Sequence, residues 1–290
     1  MASMTVRVCH LYPRLLSVAG DRGNLMAIAQ RCAWRGIGCR VTEAEVGEVP
    51  DFTQADLILL HGGQDREMTA AAADLAVKSG PLREAIEGGA VVLAVCAGYQ
   101  LLAHSYTPSA GPTIEGLGVL DAVTEAGPVR FIGHLGIECD DFGAASPARS
   151  GDPASAGARR LVGFENHSGR TFLGDGAKPL GRVIAGAGNN GEDHSEGARY
   201  REVYATYMHG PVLPKNPWFA DHLLSRALAH RYADVEPLAP LADHTEDRAQ
   251  EAALRLAARQ APAWRAAATA MTRAMRQPSG RHRVPAGTSR

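Results

Sequence analysis

The chain has 290 residues, of which 45% are hydrophobic and 21% charged, an ordinary composition for a folded protein with a sizeable core. A formal net charge of −1 excludes a broadly basic surface for nucleic acid or anionic membrane. No apolar run approaches the ~20 residues of a membrane span, and the N-terminus lacks the basic, apolar and cleavage regions of a signal peptide.

Val6 to Leu11 reads as a first strand, and a loop from Ser17 to Gly23 leads into a helix from Asn24 to Arg35. Cys39 to Val46 is a second strand. Asp56 to Leu60 is a short apolar strand that runs into His61-Gly62-Gly63-Gln64-Asp65. Ala70 to Ile86 has helical composition, interrupted at Gly80-Pro81. Strands alternating with helices of this length predict an α/β fold with a mostly parallel sheet flanked by helices. Five cysteines at positions 9, 32, 39, 96 and 139, with no Cys-x-x-Cys pair, read as free thiols of a reducing cytoplasm.

The stretch from Val91 to Leu102 carries the most chemistry. Five apolar residues run into Cys96, followed by small Ala97 and Gly98 and then a helix-compatible segment. A strand, a sharp turn and a helix with a thiol at the turn is the cysteine counterpart of a nucleophile elbow. The helix N-terminus favours a thiolate, and the Ala97 N–H is placed to meet a developing oxyanion. A buried cysteine also commonly fills a core, so a partner base has to decide between the two readings.

Beyond the elbow the pattern changes. Gly116 to Val123, Val129 to Glu138, Leu161 to Glu165, Gly181 to Ala185 and Glu202 to Tyr207 read as short strands. Residues 144–158 read as a flexible insertion. Arg130 opens one strand, and a guanidinium matches a carboxylate in bidentate fashion. Glu165-Asn166-His167-Ser168-Gly169 is a dense polar cluster after an apolar run. The last of these strands ends in His209-Gly210-Pro211. In an open α/β sheet, functional groups gather at the carboxyl ends of strands. That makes His209 the candidate base for Cys96. The Gly62-Gly63 pair can bring backbone N–H groups close to a ligand. Pro217 to Tyr232 returns to helix, Pro237 and Pro240 break it, and Glu246 to Arg276 is one long helix rich in Ala, Arg, Glu and Leu. That helix packs on its own domain or docks a partner; the residues favour neither. Residues 277–290 read as a disordered basic tail. The organisation expected is therefore a domain over 1–232, a linker and helical extension over 233–276, and a tail over 277–290. No phosphate-cradling glycine loop with Lys-Ser/Thr is present, and no metal-ligand spacing stands out.

The Cys elbow, the Gly-Gly strand end and the distal His resemble class I glutamine amidotransferase domains of the cobyric-acid-synthase-like type. The segments around Gly20-Asp21-Arg22-Gly23-Asn24, Glu165-Asn166-His167-Ser168-Gly169 and His209-Gly210-Pro211 through Lys215-Asn216-Pro217 narrow it to the glutaminase subunits of lipid II isoglutaminyl synthases. The resemblance covers roughly residues 5–232. It implies a flavodoxin-like class I glutamine amidotransferase fold, with the C-terminal helical extension added. It implies hydrolysis of L-glutamine by nucleophile Cys96 and base His209, with Arg130, Gly63, Ala97 and Gln100 at the substrate. The ammonia would pass to a Mur-ligase-like (MurT-like) ATP-dependent partner that amidates the D-glutamate of lipid II during peptidoglycan synthesis. No cofactor is expected on this chain, with ATP and Mg on the partner. Many class I relatives carry an acidic residue two positions after the His, where this chain has Pro211. Either a dyad operates or an orienting group lies elsewhere, with Glu165 the candidate and Asn166 and His167 nearby. The competing readings are a glutaminase serving a corrinoid acceptor, a non-catalytic binding protein on this fold, and a stand-alone cysteine hydrolase.

Overall fold

The computed structural model describes residues 4–17, 20–140, 142 and 159–275, with side chains to residue 260. The insertion expected over 144–158 and the tail expected over 277–290 lie outside the described residues. In chain order the elements are β1 (Thr5–Leu11), α1 (Arg22–Ala33), β2 (Gly38–Ala44), β3 (Leu57–Leu60), α2 (Asp65–Val77), α3 (Ser79–Glu87), β4 (Val91–Val95) and α4 (Ala97–Leu102). Then follow β5 (Ser105–Thr107), β6 (Ile114–Glu115), β7 (Ala122–Cys139), β8 (Arg159–Leu173), β9 (Gly181–Ala185), β10 (Ser195–Glu196) and β11 (Ala198–Tyr200). β12 (Val203–Thr206), β13 (Met208–His209), α5 (Pro217–Arg231) and α6 (His244–Met275) complete the chain.

Two sheets organise these elements. The first runs β11-β12-β4-β3-β1-β2, parallel except for the antiparallel edge strand β11. Every residue of β3 and β4 is buried, as expected of central parallel strands covered on both faces. Helix α5 packs on β1, β3, β4 and α1, while α4 packs on β3, β4, β12 and α2. The second sheet follows β10-β9-β7-β5-β6, and β8 joins it by pairing with β7 and β13. β7 and β8 form a long antiparallel ribbon whose register shifts between Ala126 and Phe131, so Arg130 lies within the irregularity.

Several boundaries differ from the sequence reading. The strand expected over 116–123 is absent as such, because β7 begins at Ala122 and runs unbroken through the segment expected as a separate strand. The backbone of 116–120 instead bonds to the carbonyls of Leu101, Leu102, Ala103 and His104. The strand expected over 161–165 is part of β8, which continues through the polar cluster to Leu173; alternating burial resolves that cluster into inward Glu165 and His167 and outward partners. The helical break falls at Lys78, and Gly80 and Pro81 occupy the first turn of α3, where a proline's missing N–H costs nothing. Helix α6 packs along β7, β8 and β9. Its Ala253 and Ala257 are buried, and the Gln250 amide donates to Asn216 Oδ1 (2.9 Å) and the Arg160 carbonyl (3.1 Å). The first half of the extension thus packs on the second sheet. No helix among the described residues is long and apolar enough to cross a membrane.

Candidate active site

The carboxyl ends of β1, β3, β4 and β12 converge on Cys96. Cys96 adopts φ 51° and ψ −102°, a conformation that costs a non-glycine residue about 1–3 kcal/mol. The surroundings hold it there. The Cys96 N–H donates to the Thr206 carbonyl (2.8 Å), its carbonyl accepts from Gln100 N–H (3.0 Å), and Gly98 N–H donates to the His61 carbonyl (3.1 Å). Gly98 is required sterically, because a Cβ there would lie 2.2 Å from the Leu60 carbonyl oxygen. Ala97 is the first residue of α4, so its N–H has no partner within the helix.

His209 reaches the same point from β13, the two-residue strand that pairs with β8. Its Nδ1 lies 3.0 Å from Asp21 Oδ2. A carboxylate only accepts, so Nδ1 carries the proton and Nε2 is left for the Cys96 sulfur, which also bonds to the ring. Burial alone would strip His209 of its charge, but the bonds to Asp21 and Cys96 overcome burial and raise its pKa from 6.5 to about 10. Those two bonds favour the imidazolium form of His209, held between Asp21 and the Cys96 sulfur. Asp21 is fully buried; its Oδ2 also accepts the Gly62 N–H at 3.3 Å, and its Oδ1 has no hydrogen-bond partner. The orienting carboxylate is thus Asp21, which stands where α1 begins.

Glu165 does not take that role. Its oxygens accept the N–H groups of Ala187 (2.8 Å) and Gly188 (3.0 Å), and burial pushes its pKa up to about 7 against those two bonds. His167 lies beside it, with Nε2 3.8 Å from Glu165 Oε2. The His167 Nδ1 bonds to the Gly169 carbonyl (2.9 Å), its ring stacks on Tyr207 at 3.7 Å, and burial lowers its pKa to about 3. Both groups support the wall of the site rather than the His209 ring.

The wall encloses an open cavity of about 840 Å³ lined by Gly63, Cys96, Gln100, Tyr106, Arg130, Asn166, His167 and His209, among others. That volume suits a small polar molecule. Arg130 is held at its rim, with Nε 2.6 Å from Asn166 Oδ1 and Nη2 3.0 Å from the Asn166 carbonyl. Gln100 faces the cavity too, but its amide nitrogen donates to the Tyr207 hydroxyl at 3.1 Å. Gly63 packs against Ala97: a Cβ on Gly63 would sit 3.8 Å from Ala97 Cβ and 2.3 Å from Leu16 Cδ2. The structure therefore brings Cys96, His209, Arg130, Gly63, Gln100, Asn166 and His167 to one cavity, with Ala97 buried next to Cys96 at the start of α4 and Glu165 behind the wall. Asp21 was the residue that sequence reasoning missed. Its signal was an acidic residue beside a glycine at the start of a helix, 188 positions from its partner.

A family model for the CobB/CobQ-like glutamine amidotransferase domain matches residues 7–217. The chain is 39% identical over 230 residues to the GatD subunit of lipid II isoglutaminyl synthase (glutamine-hydrolyzing) from Staphylococcus aureus, covering 79% of this chain and 87% of that one. It is 37% identical over 230 residues to the corresponding subunit of Streptococcus pneumoniae, covering 78% and 82%. Similarity to the cobyric acid synthase of Pelotomaculum thermopropionicum is 32% over 135 residues, covering 44% of this chain and 24% of that protein.

Proposed function

This chain belongs to the CobB/CobQ-like glutamine amidotransferase family, and we propose that it is the glutamine-hydrolysing subunit of a two-protein enzyme that amidates lipid II. The observation that carries the catalytic part is the strained Cys96 elbow beside His209, itself held by buried Asp21, in a cavity rimmed by Arg130.

The chemistry follows from those positions. Arg130 pairs with the α-carboxylate of L-glutamine and aims the carboxamide at the floor. The Cys96 sulfur attacks the amide carbon. The oxyanion meets the N–H groups of Ala97 and Gly63, each such donor being worth ~3 kcal/mol. The His209 imidazolium then protonates the departing nitrogen, ammonia leaves, and a thioester remains on Cys96. Neutral His209, its Nδ1–H still held by Asp21, takes a proton from water, which attacks the thioester and releases glutamate. Proton and charge return to the resting state.

The acceptor and partner rest on the relatives. Two proteins that this chain covers over most of their length are named as subunits of lipid II isoglutaminyl synthase. The match to cobyric acid synthase spans about a quarter of that protein. Ammonia made here would therefore be used on a Mur-ligase-like, ATP- and Mg-dependent partner, which activates the D-glutamate α-carboxyl. The test is to supply the chain and that partner with L-glutamine, ATP, Mg and lipid II. Amidated lipid II that forms from glutamine only when Cys96 is intact, and from ammonium salts when it is not, supports the reading. Failure with glutamine, alongside success with ammonium salts, overturns the assignment of this chain as the ammonia source.

A further inference from the structure

The chain changes sheets between Thr206 and Met208. β12 ends at Thr206 beside β4 in the first sheet, and β13 begins at Met208 beside β8 in the second. One buried residue ties that crossing together. The Thr206 carbonyl accepts the Cys96 N–H at 2.8 Å. Its hydroxyl accepts the Met208 N–H at 3.0 Å and donates to Glu196 Oε1 at 2.7 Å. The same Glu196 oxygen accepts the Tyr207 N–H at 2.8 Å. Thr206 thus bonds on one side to the backbone of the nucleophile and on the other to the residue before His209. Gly197 lets Glu196 come this close: it stands at φ 64°, and a Cβ on it would lie 2.2 Å from the Ala205 carbonyl oxygen. Asn189 clamps Gly197, accepting its N–H at 2.9 Å and donating to its carbonyl at 3.0 Å. Glu196 and Thr206 are both fully buried, neither lines the cavity, and Glu196 Oε2 has no hydrogen-bond partner. A carboxyl is a costly way to fill a core. What this one supplies is an acceptor for two donors at the crossing.

We propose that Glu196 and Thr206 are positioning residues for the glutaminase reaction, fixing the crossing from Thr206 to Met208 so that His209 stands at a set place relative to Cys96. The inference rests on the reading of Cys96 and His209 as the reacting pair. Neither Glu196 nor Thr206 touches substrate; both act through the backbone they hold. Valine at position 206 would keep the shape of threonine. It would leave the Met208 N–H without its acceptor and Glu196 with one donor fewer. The crossing is then free to relax, and a displacement of ~1 Å at a reacting group costs about 100-fold in rate.

The experiment compares the full-length native chain, Thr206→Val and Thr206→Ser in glutamate release from L-glutamine, with and without the ATP-dependent partner, folding being checked by circular dichroism. Thr206→Ala removes the same hydroxyl and takes the place of the valine variant if that one does not fold. We expect Thr206→Val to lower kcat about 10–100-fold with KM within about twofold of native. Thr206→Ser keeps the hydroxyl and should recover most of the loss. The second readout needs no glutamine. It is the titration of the His209 ring, followed by NMR on histidine-labelled chain and assigned by the signal lost in His209→Gln. Burial lowers that midpoint, and the bonds to Asp21 and Cys96 raise it to about 10. It should fall toward 6.5 in Thr206→Val and return in Thr206→Ser. A folded Thr206→Val whose midpoint stays at the native value overturns the proposal, whatever its kcat. So does a loss of activity that Thr206→Ser shares in full. A native chain that releases no glutamate in either condition refutes the glutaminase reading instead, and the titration then decides on the positioning unit alone.

Discussion

Replacing Asp21 with Asn tests the part of the site that joins the two ends of the chain. The exchange keeps the shape and removes the charge. It also leaves α1 intact, because Asp21 makes no side-chain capping bond to that helix. The rise of His209 from 6.5 to about 10 corresponds to roughly 5 kcal/mol at ~1.4 kcal/mol per pH unit, shared between Asp21 and Cys96 against the cost of burial. A buried hydrogen bond to a charged partner contributes about 1.5–3 kcal/mol. Asp21→Asn should therefore lower kcat about 10–200-fold, with KM little changed, because Asp21 touches the base and not the cavity. The pH profile supplies the second readout. A raised histidine pKa stabilises the folded chain fully below pH 6.5, and that contribution is lost as pH rises through about 10. The protonated ring that serves the leaving ammonia disappears over the same range. The native alkaline limb should fall as His209 loses its proton near pH 10, and in Asp21→Asn it should move toward neutrality. Glutamate release measured from pH 6 to 11 reads both. Native kcat with an unmoved alkaline limb would refute the assignment of Asp21.

Arg130→Ala should raise KM for L-glutamine and lower kcat/KM about 10–100-fold, and Asn166→Ala should give a smaller effect of the same kind by freeing the guanidinium that Asn166 holds. Gly98→Ala should destabilise the chain by more than ~2 kcal/mol in urea denaturation, since its Cβ meets the backbone oxygen of Leu60 at 2.2 Å; near-native stability would mean the elbow is looser than described. Gly63→Ala meets a side chain instead, Leu16 Cδ2 at 2.3 Å, so its loss of activity should be partly recovered by Leu16→Ala. Glu196 is fully buried, and burial raises its pKa to about 7 despite bonds from Thr206 and Tyr207. Its contribution to stability is complete below 4.5 and lost as pH rises through 7. Glu196→Gln should therefore gain stability at pH 8 relative to pH 5 by an amount of order 3 kcal/mol, and a loss at pH 8 would contradict that sign.

The parallel sheet was legible because its central strands β3 and β4 are short, wholly apolar runs separated by helices, and the elbow because Val91 to Val95 ends abruptly at Cys96-Ala97-Gly98. The second sheet was legible only in pieces. β7 carries Gly127-Pro128 in its middle, which reads as a turn locally, yet pairing with β8 on both sides of a bulge keeps it one strand. Burial in β8 alternates through polar Glu165 and His167, and tertiary hydrogen bonds from Ala187 and Gly188 and stacking on Tyr207 make that tolerable; neither partner is near in sequence. The Asp21–His209 pair was hidden for the same reason. A local rule looks two residues beyond the histidine, whereas the fold brings the carboxylate from the other end of the chain. Helix α6 was legible as a helix, but its docking on β7, β8 and β9 depends on a buried polar anchor, Gln250 to Asn216, that amphipathic spacing does not reveal.

The central claim is that Cys96, served by His209 and Asp21, hydrolyses L-glutamine. The most direct measurement is glutamate release from L-glutamine by the native chain, Cys96→Ala and His209→Ala, each with and without the ATP-dependent partner, with folding checked by circular dichroism. The account predicts release by the native chain that both substitutions abolish, and a thioester on Cys96 trapped by acid quenching. Release that persists in Cys96→Ala, or none from a folded native chain in either condition, would contradict it.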